Sequence, residues 1–287
     1  MEELYFPILI KSNEDKISLN DTIHFREIDQ IEKENYFNIK NVEIEEDGRV
    51  TGVSYHHAKY TNCWYDHAFE FINMSSIDLL KASNFFLIVP DREIAKNVIF
   101  AMKLIENTAT NITIGHIWDN DNFGIKLLFY PYNHGKGIFD IDENEANLKQ
   151  LLKRIDKFNP KKKLYLLRDK FLNSLSMEKE HRFLELVVIL EILLTEQAFK
   201  EVSYKFRFRF ANLLSKKLNM TDITRKEIFE FGKEIYDIRS KIVHSGQDKR
   251  VKSILNKLEE YTRKVLIYFI NEPKVFKSQD LDSICLE

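Results

Sequence analysis

An arginine and a histidine stand five positions apart in the stretch Tyr236-Asp237-Ile238-Arg239-Ser240-Lys241-Ile242-Val243-His244-Ser245-Gly246. These two residue types together suit cleavage of RNA without a metal ion. An imidazole takes a proton from the ribose 2′-hydroxyl, or returns one to the leaving oxygen, near neutral pH. A guanidinium stays charged and stabilises a phosphate as negative charge builds in the transition state. The products of such a reaction are a 2′,3′-cyclic phosphate and a 5′-hydroxyl. In a straight helix, five steps turn the chain by about 500° and leave the two side chains about 140° apart. Convergence within one chain therefore requires the helix to unwind or bend. The β-branched pair Ile242-Val243 and Gly246 offer a place for that. The plain alternative for this spacing is an arginine in a salt bridge and a histidine at a helix end.

Other residues are candidates to support the pair. Glu191 sits in a run of Val, Ile and Leu, where a carboxylate needs a partner; orienting Arg239 or the motif backbone would supply one. Arg207 and Arg209 alternate with Phe206, Phe208 and Phe210, a mixture of charge and aromatic surface that suits RNA. The competing reading is a core helix with snorkelling arginines. Lys241, inside the motif, adds a third cation to this RNA-contacting set. Lys161-Lys162-Lys163 reads as a solvated helix start. His56, His57, Cys63, Asp66 and His67 form the one metal-like cluster. On a strand, His56 and His57 point to opposite faces, and no spacing matches a zinc module. No metal is expected.

The elements that must position the motif are helices. Residues 143–158 carry Leu148, Leu151, Leu152 and Ile155 at helical spacing, and Asn159-Pro160 ends that run. Helices are expected at 164–175 and 178–199, with Ser176 as N-cap of the second, the central helix of a bundle. Residues 204–218 begin with alternating aromatics, a strand signal, but their continuation and neighbours favour helix. From Thr224, residues Ile228, Phe231, Ile235, Ile238 and Ile242 recur every three or four positions, and Ser245-Gly246 closes the helix. A last helix is expected over 249–271, stopped by Pro273.

The first half is mixed and strand-rich. Strands are expected at 4–10, 36–44, 50–60, 85–89, 112–118 and 123–132, with a turn at Glu46-Asp47-Gly48-Arg49 and an aromatic-rich stretch at 62–72. Pro90-Asp91 starts a helix reaching about residue 107, with Asp91 as cap and Ile94, Val98, Ala101 and Ile105 on one face. The expected fold class is thus α+β: a strand-rich recognition or regulatory domain over 1–145, then an α-helical bundle over 146–287.

Composition agrees with a folded chain. Of 287 residues, 44% are hydrophobic and 31% charged, which excludes disorder. The two cysteines, Cys63 and Cys285, form no CxxC pair and imply no disulfide framework. No apolar run approaches the roughly 20 residues that span a bilayer, and the start of the chain carries no signal-peptide pattern. No membrane association and a cytoplasmic location are expected. The net charge of -2 hides an asymmetry. Residues 1–145 hold 25 acidic and 13 basic side chains; residues 146–287 hold 20 acidic and 30 basic. A basic second half points to a polyanionic partner.

Over about residues 160–272 the chain resembles the HEPN superfamily, and within it the ApeA-like domains. The likeness rests on the R-x4-6-H motif, present as Arg239…His244, and on three blocks upstream in the family's order. These are residues 164–174, residues 183–195 with Leu190-Glu191-Ile192-Leu193-Leu194, and Phe208-Arg209-Phe210-Ala211-Asn212-Leu213-Leu214. The resemblance implies a HEPN helical bundle and a metal-independent endoribonuclease with no cofactor. It further implies a homodimer whose two Arg/His sets face one cleft. The family's roles as toxins and in abortive antiviral defence imply an antitoxin or a phage-derived trigger as further partners. Active members often carry Asn, Asp or His directly after the Arg. Ser240 stands there, as is common in the ApeA-like branch, and its hydroxyl can still hydrogen-bond in a supporting role. The other reading of the resemblance is a non-catalytic HEPN module that binds RNA, a nucleotide or a protein.

Overall fold

The computed structural model describes residues 3–8, 10–28, 41–44, 50–54, 84–106, 114–119, 122–127, 138–195, 202–218, 220, 223–276 and 278–286. The chain divides into two compact units, Met1–Lys149 and Gln150–Glu287. The first is strand-rich and the second all-helical, so the architecture is α+β.

In the first unit the strands are β1 (Glu3–Ile8), β2 (Ile10–Lys11), β3 (Lys16–Asn20), β4 (Ile23–Glu27), β5 (Asn41–Ile44), β6 (Val50–Ser54), β7 (Phe85–Val89), β8 (Ile114–Asp119), β9 (Asn122–Leu127) and β10 (Phe139–Asp140). Six of them form an antiparallel sheet in the order β3-β4-β7-β1-β8-β9. Every residue of β7 is buried, which explains its unbroken apolar run: a central strand covered on both faces needs no polar alternation. Sequence patterning misses β3 and β4. Their alternation is short, with Ile17 and Leu19 buried between exposed neighbours. Their turn is made by a side chain, Asn20 Oδ1 accepting the N–H groups of Thr22 and Ile23. β5 and β6 pair antiparallel. The expected turn at 46–49, the stretch 62–72 and the cluster His56, His57, Cys63, Asp66 and His67 lie outside the described residues.

Helix α1 (Arg92–Ile105) begins as expected, with Asp91 Oδ1 accepting the Ile94 N–H at 2.8 Å. Its burial is broader than a single stripe. Val98 and Ala101 are buried together with Ile99, Phe100, Met102 and Leu104, while Ile94 and Ile105 are half-buried.

Helix α2 (Ile141–Lys157) leads into the second unit, which comprises α3 (Lys161–Ser174), α4 (Lys179–Leu194), α5 (Val202–Asn212), α6 (Arg225–Ser245), α7 (Val251–Asn271) and α8 (Ser278–Leu286). Helix α4 is central and buries Phe183, Leu186, Val187, Ile189, Leu190, Leu193 and Leu194. Its N-cap is Glu178 and not Ser176, whose hydroxyl instead donates to the Asn173 carbonyl of the preceding helix. Arg182 of α4 and Glu259 of α7 form a buried ion pair. Helix α5 runs into a π-helical turn, Leu213–Lys217, and α8 follows the Pro273 stop; neither feature was expected. Among the described residues no helix is long and apolar enough to cross a membrane.

Candidate functional site

The site is organised by α6, and three arcs of that helix have different surroundings. The apolar arc Ile228, Phe231, Ile235, Ile238 and Ile242 is buried. Beside it, within about 80° of the helical wheel, run Arg225, Phe229, Gly232, Tyr236, Arg239 and Val243. Ser240 and His244 lie further round, both exposed. The helix is set firmly at each end. Thr224 and Glu227 form a reciprocal capping box, and Gly246, at φ 79°, makes a left-handed exit whose N–H donates to the Ile242 carbonyl at 2.7 Å.

That exit overturns one expectation. The helix does not unwind between Arg239 and His244; it continues to Ser245 and breaks only afterwards. The two side chains of one protomer therefore keep their separation of about 140° and do not converge. The helix survives Ile242-Val243 because Ile242 is a core residue, buried with the rest of the apolar arc.

Arg239 is held by α4. Its Nε lies 3.5 Å from Glu191 Oε1, and the Tyr236 hydroxyl donates to that same oxygen at 2.7 Å. The guanidinium carbon stands 5.9 Å from the centre of the Tyr236 ring, and that ring packs at 5.0 Å on Phe206, which is fully buried. Burial first, then the bond to Glu191 and its charge, pushes the Tyr236 phenol far above its ordinary pKa, so it stays a proton donor. The side chain of Arg239 remains 38% exposed against 18% for Glu191. A guanidinium has five N–H donors, and the ion pair engages it at Nε, so donors remain for an outside oxygen anion.

His244 is exposed in the last turn of α6, next to Val243, which is 63% exposed. The corner beyond it is braced by Asp248. This carboxylate accepts the Arg250 N–H at 2.9 Å and the Arg250 guanidinium at 2.6 Å, and lies 3.8 Å from Lys241 Nζ. The Arg250 hydrogen bonds hold Asp248 down at a pKa of about 2. Lys241 is thus exposed but loosely paired.

The two arginines of α5 separate. Residues two apart on a helix point about 160° apart. Arg209 faces inward, 2% exposed, donating to the Leu194 carbonyl at 2.7 Å and to Asp282 at 2.8 Å. It ties α8 to α5 and is withdrawn from the set of RNA contacts. Arg207 faces outward, with its guanidinium 4.9 Å from the Phe229 ring centre. Tyr236 was not singled out from the sequence; its place three residues before Arg239, on the same helix face, was the available signal. Among the described residues no group of His, Cys, Asp and Glu side chains comes together to hold a metal ion.

Fold and site together define an all-helical domain that presents a carboxylate-held arginine and an exposed histidine on one helix. Compared with protein-family models, curated proteins and solved structures, the chain matches none.

Proposed function

We propose that the chain is a metal-independent endoribonuclease of HEPN type, acting as a homodimer. The observation that carries this reading is the state of Arg239, oriented by Glu191 and Tyr236 yet still open to an anion at the helix end that bears the exposed His244. A buried, structural arginine would have its donors consumed within the fold, as Arg209 does. Arg239 stabilises the phosphate, and His244 transfers the proton of the 2′-hydroxyl or of the leaving oxygen.

The unbroken α6 supports the dimer. One protomer cannot aim Arg239 and His244 at a single phosphate, and the reaction uses both a base and an acid. Two copies related by a two-fold axis bring two of each side chain to one cleft, with the exposed Val243 between them as an apolar contact. Service as a toxin or in phage defence, with an antitoxin or phage trigger as regulator, is the biological setting we attach to this activity.

The test is cleavage of labelled single-stranded RNA in EDTA. Wild type is expected to cut and leave a 2′,3′-cyclic phosphate; His244→Ala and Arg239→Ala are expected to lose at least about a hundredfold in rate. Arg239→Lys should fail too, because an ammonium cannot engage Glu191 and a phosphate at once with a planar fork. Unchanged rates in both alanine variants, or strict dependence on a divalent ion, would overturn the assignment.

A further inference from the structure

The alternating aromatics of α5 divide into two stacked pairs on opposite sides of the helix. Phe206 and Phe210 stack in the core with ring centres 5.5 Å apart. Tyr204 and Phe208 stack at 5.8 Å with an interplanar angle of 12°, outside the core, and Tyr204 is 48% exposed. Packing of the interior accounts for the first pair. The second packs edge-on against Phe229 of α6, with ring centres 6.1 Å apart, and still leaves Tyr204 open to solvent.

The outer pair is surrounded by cations on aromatic faces. Arg207 lies over Phe229 at 4.9 Å and over Tyr204 at 6.0 Å, and Arg225 lies over Phe208 at 5.6 Å. Among the described residues neither arginine has a carboxylate partner. The acidic neighbours on α6 are directed elsewhere: Glu227 is committed to the Thr224 cap, and Glu230 points about 100° round the helix from Phe229. An open cleft of about 520 Å³, within the range of roughly 300–1,000 Å³ that small ligands occupy, is lined, among the described residues, by Val202, Ser203, Tyr204 and Arg207.

Gly232 is part of this construction. A Cβ at that position would stand 3.1 Å from Arg207 Cγ. The stem of Arg207 thus lies directly on the α6 backbone, which carries its guanidinium out over Phe229. Glycine inside a helix costs about 1 kcal/mol relative to alanine, so the seat is kept against local preference. Phe229 and Arg239 share one arc of α6 and are ten residues apart, about 15 Å along the axis.

We propose that Tyr204, Phe208, Phe229, Arg207 and Arg225 form a second RNA-binding site that takes unpaired bases of the substrate strand. The exposed ring of Tyr204 offers a stacking surface to any base, and the guanidinium groups beside it neutralise the backbone. This proposal rests on the ribonuclease reading and adds the substrate class: single-stranded RNA gripped on the same face of α6 as Arg239 and about 15 Å from it.

The experiment measures anisotropy of a fluorescent oligouridine with the full chain carrying His244→Ala, which removes cleavage from the readout. Tyr204→Ala and Arg207→Ala are expected to weaken binding about tenfold each, with Tyr204→Phe close to the parent. An abasic strand of equal charge should bind the parent several-fold more weakly, and that difference should vanish in Tyr204→Ala. Tyr204 is exposed, so the variant keeps its fold, which a melting curve verifies. Equal affinity in parent, Tyr204→Ala and Arg207→Ala overturns the second site, as does equal binding of the abasic strand or of polyglutamate. Cleavage by wild type is assayed separately. Cutting with no effect of these variants removes only the second site, whereas base-dependent binding without cutting removes only the ribonuclease reading.

Discussion

The carboxylate of Glu191 stands 3.5 Å from Arg239 Nε, although the two residues lie on different helices and 48 positions apart. The same oxygen accepts the Tyr236 hydroxyl, so one atom of α4 orients two side chains of α6. Glu191→Gln preserves size and an acceptor for Tyr236 but removes the charge that opposes Arg239. An ion pair at 3.5 Å with a partly exposed guanidinium contributes about 0.2–1 kcal/mol, which corresponds to a fall of up to about fivefold in kcat. KM and melting temperature should change little. Steady-state cleavage of a labelled RNA reads this directly, and an undiminished kcat would show that Glu191 does not orient the arginine.

Tyr236 should reveal itself in alkali. Its folded pKa lies above its unfolded value, because burial and Glu191 both oppose ionisation. The stability it contributes is fully present below the unfolded pKa of about 10 and is lost as pH rises beyond it, since the unfolded chain releases the proton first. Tyr236→Phe keeps the ring on Phe206 and loses about 1 kcal/mol at neutral pH. Denaturant melts at pH 7 and above pH 10 should show wild type losing its advantage over the variant. A constant difference would mean that the hydroxyl is not held as described.

Asp248 behaves in the opposite sense. Its folded pKa of about 2 lies below the unfolded value near 3.9, so its contribution is complete above that value and lost as pH falls through about 2. Asp248→Asn should melt lower than wild type at pH 6, by several degrees, with the gap narrowing below pH 4. Thermal melts at pH 6, 4 and 3 test this; a gap that widens with acid would contradict the assigned hydrogen bonds to Arg250.

Val243 offers the means to separate assembly from chemistry. Val243→Asn adds no charge beside Arg239, four residues away on the same arc, but puts a polar amide in place of the apolar two-fold contact. Dimer dissociation is expected to rise at least about tenfold, and cleavage should then depend on protein concentration. Sedimentation and cleavage followed over the same dilution series provide the measurement. Full activity from a monomer would refute the shared cleft.

Much of the scaffold was legible in the sequence for a physical reason: periodicity reports local geometry. The stripe Ile228, Phe231, Ile235, Ile238 and Ile242, the cap at Thr224 and the exit at Gly246 announce α6, because each signal is written in residues a few positions apart. The same holds for Asp91 at the start of α1 and for the apolar run of β7. The sequence by itself also determined that Arg239 and His244 share a helix and that the second half is basic. It could not decide which side of α5 meets the core, because aromatic residues alternating on a helix make two equivalent faces. Packing against α4, α6 and α8 chose: Phe206, Phe210 and Arg209 went inward, leaving Tyr204 exposed and Phe208 and Arg207 half-buried on the other side. Nor could local pattern place Glu191 beside Arg239, a contact that exists only when α4 and α6 pack together. Whether α6 would bend at Ile242-Val243 was likewise a tertiary matter. Burying Ile242 in the core keeps the helix unbroken to Ser245 and holds Arg239 and His244 of one protomer apart.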